Sequence, residues 1–196
     1  IAALKSPSPN VRELGRAPLE AGGAKSISAV KGLLDDANPF IQARAIWLLA
    51  KLGPKGIAEV ETLLKHKDPQ MRLTAFRALR HEGHRTLEHA AKLADDPSPL
   101  VRREVALALR YVSFEKSRDL LLKIAAGYDG KDRYYVEAFG IGCTDKEDKV
   151  YAALREKRST KDFDPVYAGL AWRLHPVGAI GELKGWAMDK ERDAAL

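Results

Sequence analysis

"DPQMRLTAFRALRHEG", residues 68–83, reads as a single helix with its start and stop signals attached. Asp68 is a good N-cap, and Pro69 stands where a helix begins, because a proline in the first position gives up an N–H that has no helical partner anyway. Met71, Ala75, Ala78 and Leu79 follow at offsets that share one helical face, and Glu82 breaks the column. Gly83 stands just past the end, where a left-handed backbone stops a helix. The pattern recurs in "SPNVRELGRAPLEAGG" (8–23), "NPFIQARAIWLLAKLG" (38–53) and "SPLVRREVALALRYVS" (98–113). The prolines fall at Pro9, Pro39, Pro69 and Pro99, a constant spacing of 30. Ser8, Asn38, Asp68 and Ser98 precede them, and the last column is Gly23, Gly53, Gly83 and Ser113.

The apolar positions repeat in register. Ile41, Ala45, Leu48, Leu49 and Leu52 form the stripe of the second unit, and Val101, Val105, Ala108, Leu109 and Val112 that of the fourth. Each unit also has a preceding helix, with stripes Ile27, Val30, Leu33, Leu34, then Ile57, Val60, Leu63, Leu64, then Leu87, Ala90, Leu93, Ala94. Period-2 strand patterns are missing. A 30-residue helix pair cannot bury both of its stripes alone, so the pairs must stack. The expectation is an all-α, right-handed α-solenoid of tandem antiparallel helix pairs. One domain spans 1–196: a half repeat 1–23, repeats 24–53, 54–83, 84–113, 114–143 and 144–176, and a C-terminal helix 177–196. In the fifth unit the helices are expected at about 114–127 and 131–142, with Gly140 and Gly142 weakening the second. Gly15 and Pro18 weaken the first helix of the chain.

The turn between the helices resembles that of HEAT repeats, whose mark is an Asp-Pro-x-x-Arg sequence. Here it is Asp68-Pro69-Gln70-Met71-Arg72, with variants around Pro39 and Pro99, arginines again at Arg12 and Arg102, and a departure at Gln42. The resemblance implies a structural arginine that pairs with acidic turn residues such as Asp68 or Asp96. Two further stretches, "YDGKDRYYVEAFGIG" (128–142) and "WRLHP" (172–176), resemble the HEAT-like region of planctomycete and verrucomicrobial multidomain membrane-bound dehydrogenases or cytochrome-c-like proteins. In those bacterial proteins a β-propeller precedes the repeats and a c-type haem domain follows. The likeness implies an extracytoplasmic (periplasmic) parent in which this segment is a spacer or docking module; without it the expectation is cytoplasmic. The haem motif Cys-x-x-Cys-His is missing, since Cys143 is the only cysteine, so no haem or other cofactor is expected.

Composition sets wider bounds. The chain has 196 residues, 45% hydrophobic and 31% charged, enough to bury a core and too apolar for a disordered segment. No apolar run nears the roughly 20 residues of a membrane span. The start at Ile1 and the half repeat there suggest a fragment of a larger multidomain protein. A net charge of +6 points to acidic partners, nucleic acid among them, although lysines scattered over helix faces give the same sum.

The second helix of each HEAT pair usually lines the concave face. Opposite the buried stripe lie Ala43, Leu73 and Arg103; Trp47, Arg77 and Leu107; Ala50, Arg80 and Arg110; and, to one side, Lys51, His81 and Tyr111. Trp47, Lys51, Arg77, Arg80, Arg103, Arg110 and Tyr111 are the expected partner-binding set, because arginine and aromatics dominate binding hot spots. The same residues equally suit a solvated face. The expected function is a monomeric, non-catalytic protein-binding scaffold whose partner is a neighbouring domain or a separate protein of acidic character. The alternative is a nucleic-acid binder resembling HEAT-like DNA glycosylases. No phosphate loop, nucleophile elbow or His-Glu-x-x-His motif suggests catalysis. HEAT-like di-iron hydroxylases carry several His-Glu pairs, whereas this chain has only His81-Glu82. The histidine-rich stretch "RHEGHRTLEH" (80–89) is expected to be a turn without a metal, His81 facing the concave side and His89 the convex one. Of the three, only His84 is placed to meet His81 or Glu82.

Overall fold

The computed structural model describes residues 1–157 and 164–189. The end of "DKEDKVYAALREKRS" and residues 190–196 of the expected C-terminal helix lie outside the described residues. Among the described residues every regular element is helical: α1 (Pro9–Gly22), α2 (Ile27–Lys31), α3 (Pro39–Lys51), α4 (Gly53–Thr62), α5 (Pro69–His81), α6 (Thr86–Leu93), α7 (Pro99–Ala108), α8 (Phe114–Ala126), α9 (Arg133–Gly142), α10 (Glu147–Glu156), α11 (Pro165–Leu174) and α12 (Ile180–Met188). Short 3-10 turns at Gly23–Ser26 and Leu63–Lys65 extend α2 and α4. The prolines of the 30-residue column each open their helix, and α1 runs on through Gly15 and Pro18. Gly23, Gly53 and Gly83 all have positive φ, as the stop column requires.

The helices form two compact units, Ile1–His89 and Ala90–Leu196. In the first, α1, α3 and α5 lie side by side in one layer, and α2 and α4 with their 3-10 turns pack against them in a second. In the second, α7, α9 and α11 form one row and α8 and α10 the other. Each unit is thus a stack of helix pairs, and the chain is an all-α solenoid. Ile46, Leu49, Val60, Phe76 and Leu79 are fully buried in the first unit; Leu109, Leu121, Ile124, Tyr135 and Phe139 fill the second. Each such side chain contributes about 1.5–3 kcal/mol of burial free energy. The stripes are wider than one helical face: Ala50 and Leu73, expected opposite the core, are buried too. Within a layer a helix touches neighbours on both flanks as well as its partner below, so small and apolar residues at its sides are also covered.

A hydrogen-bonded brace recurs in the turn that leads into each of α1, α3, α5 and α7. The side chains of Ser6, Asp36, His66 and Asp96 accept from the backbone N–H two residues on, at 3.2, 2.9, 3.1 and 2.9 Å. The backbone carbonyls of the same four residues accept from Arg12, Gln42, Arg72 and Arg102, at 3.0, 2.8, 2.7 and 2.5 Å. The arginine therefore grips the main chain of its turn. Asp68 caps α5, accepting from Gln70 N–H at 2.9 Å. Gln42, the apparent departure, reaches the same carbonyl column with its amide. Of the four cap residues, Asn38 and Asp68 bond to their helices through their side chains, whereas Ser8 and Ser98 make no side-chain cap bond.

Candidate functional site

In the first unit a groove of about 560 Å³ lies between α1 and α3. Leu4, Phe40, Trp47 and Leu48 supply its apolar surface, and Arg12, Arg16, Arg44 and Lys51 stand around it with a single acid, Glu13. Phe40 is 73% exposed, an unusual state for a large aromatic ring. The basic side chains are held in place. Arg44 donates to Leu4 O at 2.9 Å, Arg12 to Pro7 O at 2.6 Å, and Arg16 bonds Glu13 at 2.8 Å and also pairs with Glu20. Trp47 meets His81 edge-on at 5.4 Å, and Lys51 lies 3.9 Å from Glu82. Two of the expected binding residues, Trp47 and Lys51, thus share a groove. Arg77 is exposed and Arg80 half-buried on α5, and neither lines this groove.

Phe40, Arg16 and Arg44 did not stand out in the sequence, and Arg12 did so only as a turn arginine. The available signal was Phe40 itself: its equivalents at 30-residue steps are Asn10, Gln70 and Leu100, so an aromatic ring in that off-stripe column is out of pattern.

In the second unit Arg103 lies 3.3 Å from Asp132 and faces the exposed Tyr134 ring at 6.0 Å. Arg110 sits 5.3 Å from the Tyr111 ring centre, and Tyr111 is 90% exposed. The stretches 128–142 and 172–176 come together here. Arg173 donates to Glu137 at 2.7 Å and lies over Gly140, and Tyr128, Glu137, Trp172, Arg173 and His175 line a pocket of about 560 Å³. Gly142 has a packing reason as well: a Cβ there would stand 2.4 Å from Ala106 O, so this glycine allows α9 to lie close against α7. Cys143 is fully buried, and burial pushes its thiol up to about 12. Beside it Lys146 Nζ caps the end of α7, donating to Leu109 O and Val112 O at 2.8 Å each. Burial holds that ammonium below the ordinary lysine pKa.

Two of the three histidines depart from expectation. His81 is exposed and pairs with Glu82 at 3.2 Å. His89 is fully buried, not on an outer face, and its ring lies 5.9 Å from that of His84. Both reach one carboxylate oxygen of Glu61 on α4.

A family model of HEAT repeats matches residues 26–110. Those residues carry α3, α5, α7 and three of the four braced turns, so the HEAT-like reading and the geometry coincide there. Among solved structures the chain is similar to a designed armadillo repeat protein, YIII(Dq.V1)4CPAF, in complex with the peptide (KR)4. Identity is 17% and the TM-score 0.44, over 89% of this chain and 96% of that one. No curated protein matches the chain. No helix among the described residues is long and apolar enough to cross a membrane.

Proposed function

We propose that this chain is a non-catalytic protein-binding module that takes an acidic peptide segment, with an apolar or aromatic anchor, into the groove between α1 and α3. The observation that carries this is the exposed Phe40 beside Trp47, on an apolar floor edged by four basic residues and one acid. Aromatic anchors supply affinity once desolvated, and the surrounding charge sets the sign of the partner and the rate of encounter. Arg44 and Arg12, already tied to backbone carbonyls, lose little freedom on binding, which favours a pre-formed site. HEAT-type repeats as binding surfaces fit the same reading.

The test is a panel of Asp/Glu-rich peptides, each with one Leu or aromatic residue, titrated by fluorescence anisotropy. Micromolar binding that weakens more than about tenfold in Trp47→Ala supports the groove. Unchanged binding in Trp47→Ala, or none to any peptide, sinks it. Binding to nucleic acid that is lost in Arg80→Ala with Arg110→Ala would put the glycosylase-like reading in its place. The narrower likeness to dehydrogenase or cytochrome-like proteins, with its extracytoplasmic setting, rests on the stretches at 128–142 and 172–176. A Cys-x-x-Cys-His downstream in the full reading frame is its check.

A further inference from the structure

Glu61, His84 and His89 come from three places in the chain: the last turns of α4, the loop after α5 and the first turns of α6. The loop is a Schellman stop. Gly83 N–H donates to Arg80 O at 3.0 Å and His84 N–H to Leu79 O at 2.9 Å, with Gly83 at φ 69°. This fold-back holds the His84 backbone against the end of α5, so the position of its side chain does not depend on a loose loop. His89 is anchored by a different route: it lies beside Ala90 in the buried face of α6 and has no solvent exposure.

The donors are spaced as a metal requires. Glu61 Oε1 lies 3.2 Å from His89 Nε2 and 3.4 Å from His84 Nε2. With metal–nitrogen bonds of about 2.0–2.1 Å and metal–oxygen bonds of about 2.0–2.2 Å, neighbouring ligands around a tetrahedral ion stand about 3.3–3.4 Å apart. Ligand atoms of all three residues lie within 4.8 Å of one another. His84, one-third exposed, is the member free to close the remaining gap, and it opens the site to solvent.

We propose that Glu61, His84 and His89 form a binding site for a divalent transition metal of the zinc class, tying α4 to α6. Two imidazoles and one carboxylate suit zinc and its neighbours, whereas magnesium and calcium favour oxygen donors alone. Three protein ligands leave a four-coordinate ion one position for water or for a donor from solution. One cation stands close: Arg85 NH1 is 3.5 Å from Glu61 Oε1. Its stronger partner is Glu88, bonded to Arg85 Nε at 2.9 Å, so the half-exposed guanidinium keeps a partner when a metal takes Glu61.

The test uses the whole chain freed of metal by chelator, titrated with zinc against a chromophoric competitor and separately with cobalt(II) as a spectroscopic probe. One equivalent of zinc and visible cobalt d–d bands are expected. His84→Ala and Glu61→Gln, both at half-buried positions that tolerate substitution, each lower zinc affinity at least about 100-fold and abolish the cobalt bands. Arg85→Gln binds zinc at least as tightly as the wild type. Less than one equivalent bound by the wild type, or wild-type affinity in both His84→Ala and Glu61→Gln, overturns the site and leaves an imidazole–carboxylate cluster without a metal. If His89→Asn remains folded by circular dichroism it must lose zinc as well; retention counts against the proposal.

Discussion

Single side chains in this molecule behave according to what covers them. Cys143 is a case where burial decides chemistry: a thiol raised to about 12 stays protonated at neutral pH and has no nucleophilic form. The native protein is expected not to react with an aromatic disulfide reagent at pH 8, and to release one thiol equivalent once unfolded in guanidinium; rapid reaction of the native state would contradict its burial. His89 shows the limit of reading side chains from sequence. The stripe Leu87, Ala90, Leu93, Ala94 puts His89 outside the buried face, yet Leu87 is half-buried while His89, Ala90, Leu93 and Ala94 are covered. One residue turns a helix by about 100°. A stripe fixed by too few apolar residues can therefore be misplaced by the width of a face. The convergence of His84 and His89 on Glu61 had no motif spacing to announce it, because Glu61 belongs to a neighbouring repeat.

For whole elements the sequence was far more legible. The cap, proline and glycine columns place the starts of α3, α5 and α7 on the residues observed, because those signals are backbone requirements. The brace was legible only at its arginine end. Every residue offers a carbonyl, so nothing in the sequence says which carbonyl is taken, and Ser6, Asp36, His66 and Asp96 share only a side-chain acceptor. Arg72 is 9% exposed and donates to both His66 O and Lys67 O. Arg72→Ala is expected to cost about 2–4 kcal/mol in chemical denaturation, because two charge-assisted bonds go and two carbonyls lose a donor. Arg72→Gln, copying Gln42, should cost less than half of that. Equal losses would mean the amide does not reach His66 O in this turn. Gly142 makes the opposite case to its helix propensity. Alanine is intrinsically better in a helix by about 1 kcal/mol, but the contact with Ala106 O turns the sign, and Gly142→Ala is expected to destabilise by about 1–3 kcal/mol in the same measurement.

Across the molecule the net charge of +6 is spread among carboxylates, with Arg16, Arg103, Arg118 and Arg173 all in ion pairs. A partner held by the groove would owe much of its affinity to Phe40 and Trp47. Its binding should therefore fall only several-fold between 50 and 200 mM salt. A nucleic acid gripped through six or more phosphates would lose about 10³–10⁵ over that range. Anisotropy titrations at the two salt concentrations separate the two.

The brace has a consequence for how such a chain can change in length. Both of its bonds join residues no more than six apart, so the brace itself closes within its turn, and a further reach such as that of Arg102 to Gly127 O and the Tyr135 hydroxyl is added to it. Unequal recombination between two in-phase copies would add or delete a whole 30-residue cassette and leave every surviving turn with both of its ends. The number of repeats, and with it the length of surface on offer, is thereby open to inheritance in whole steps.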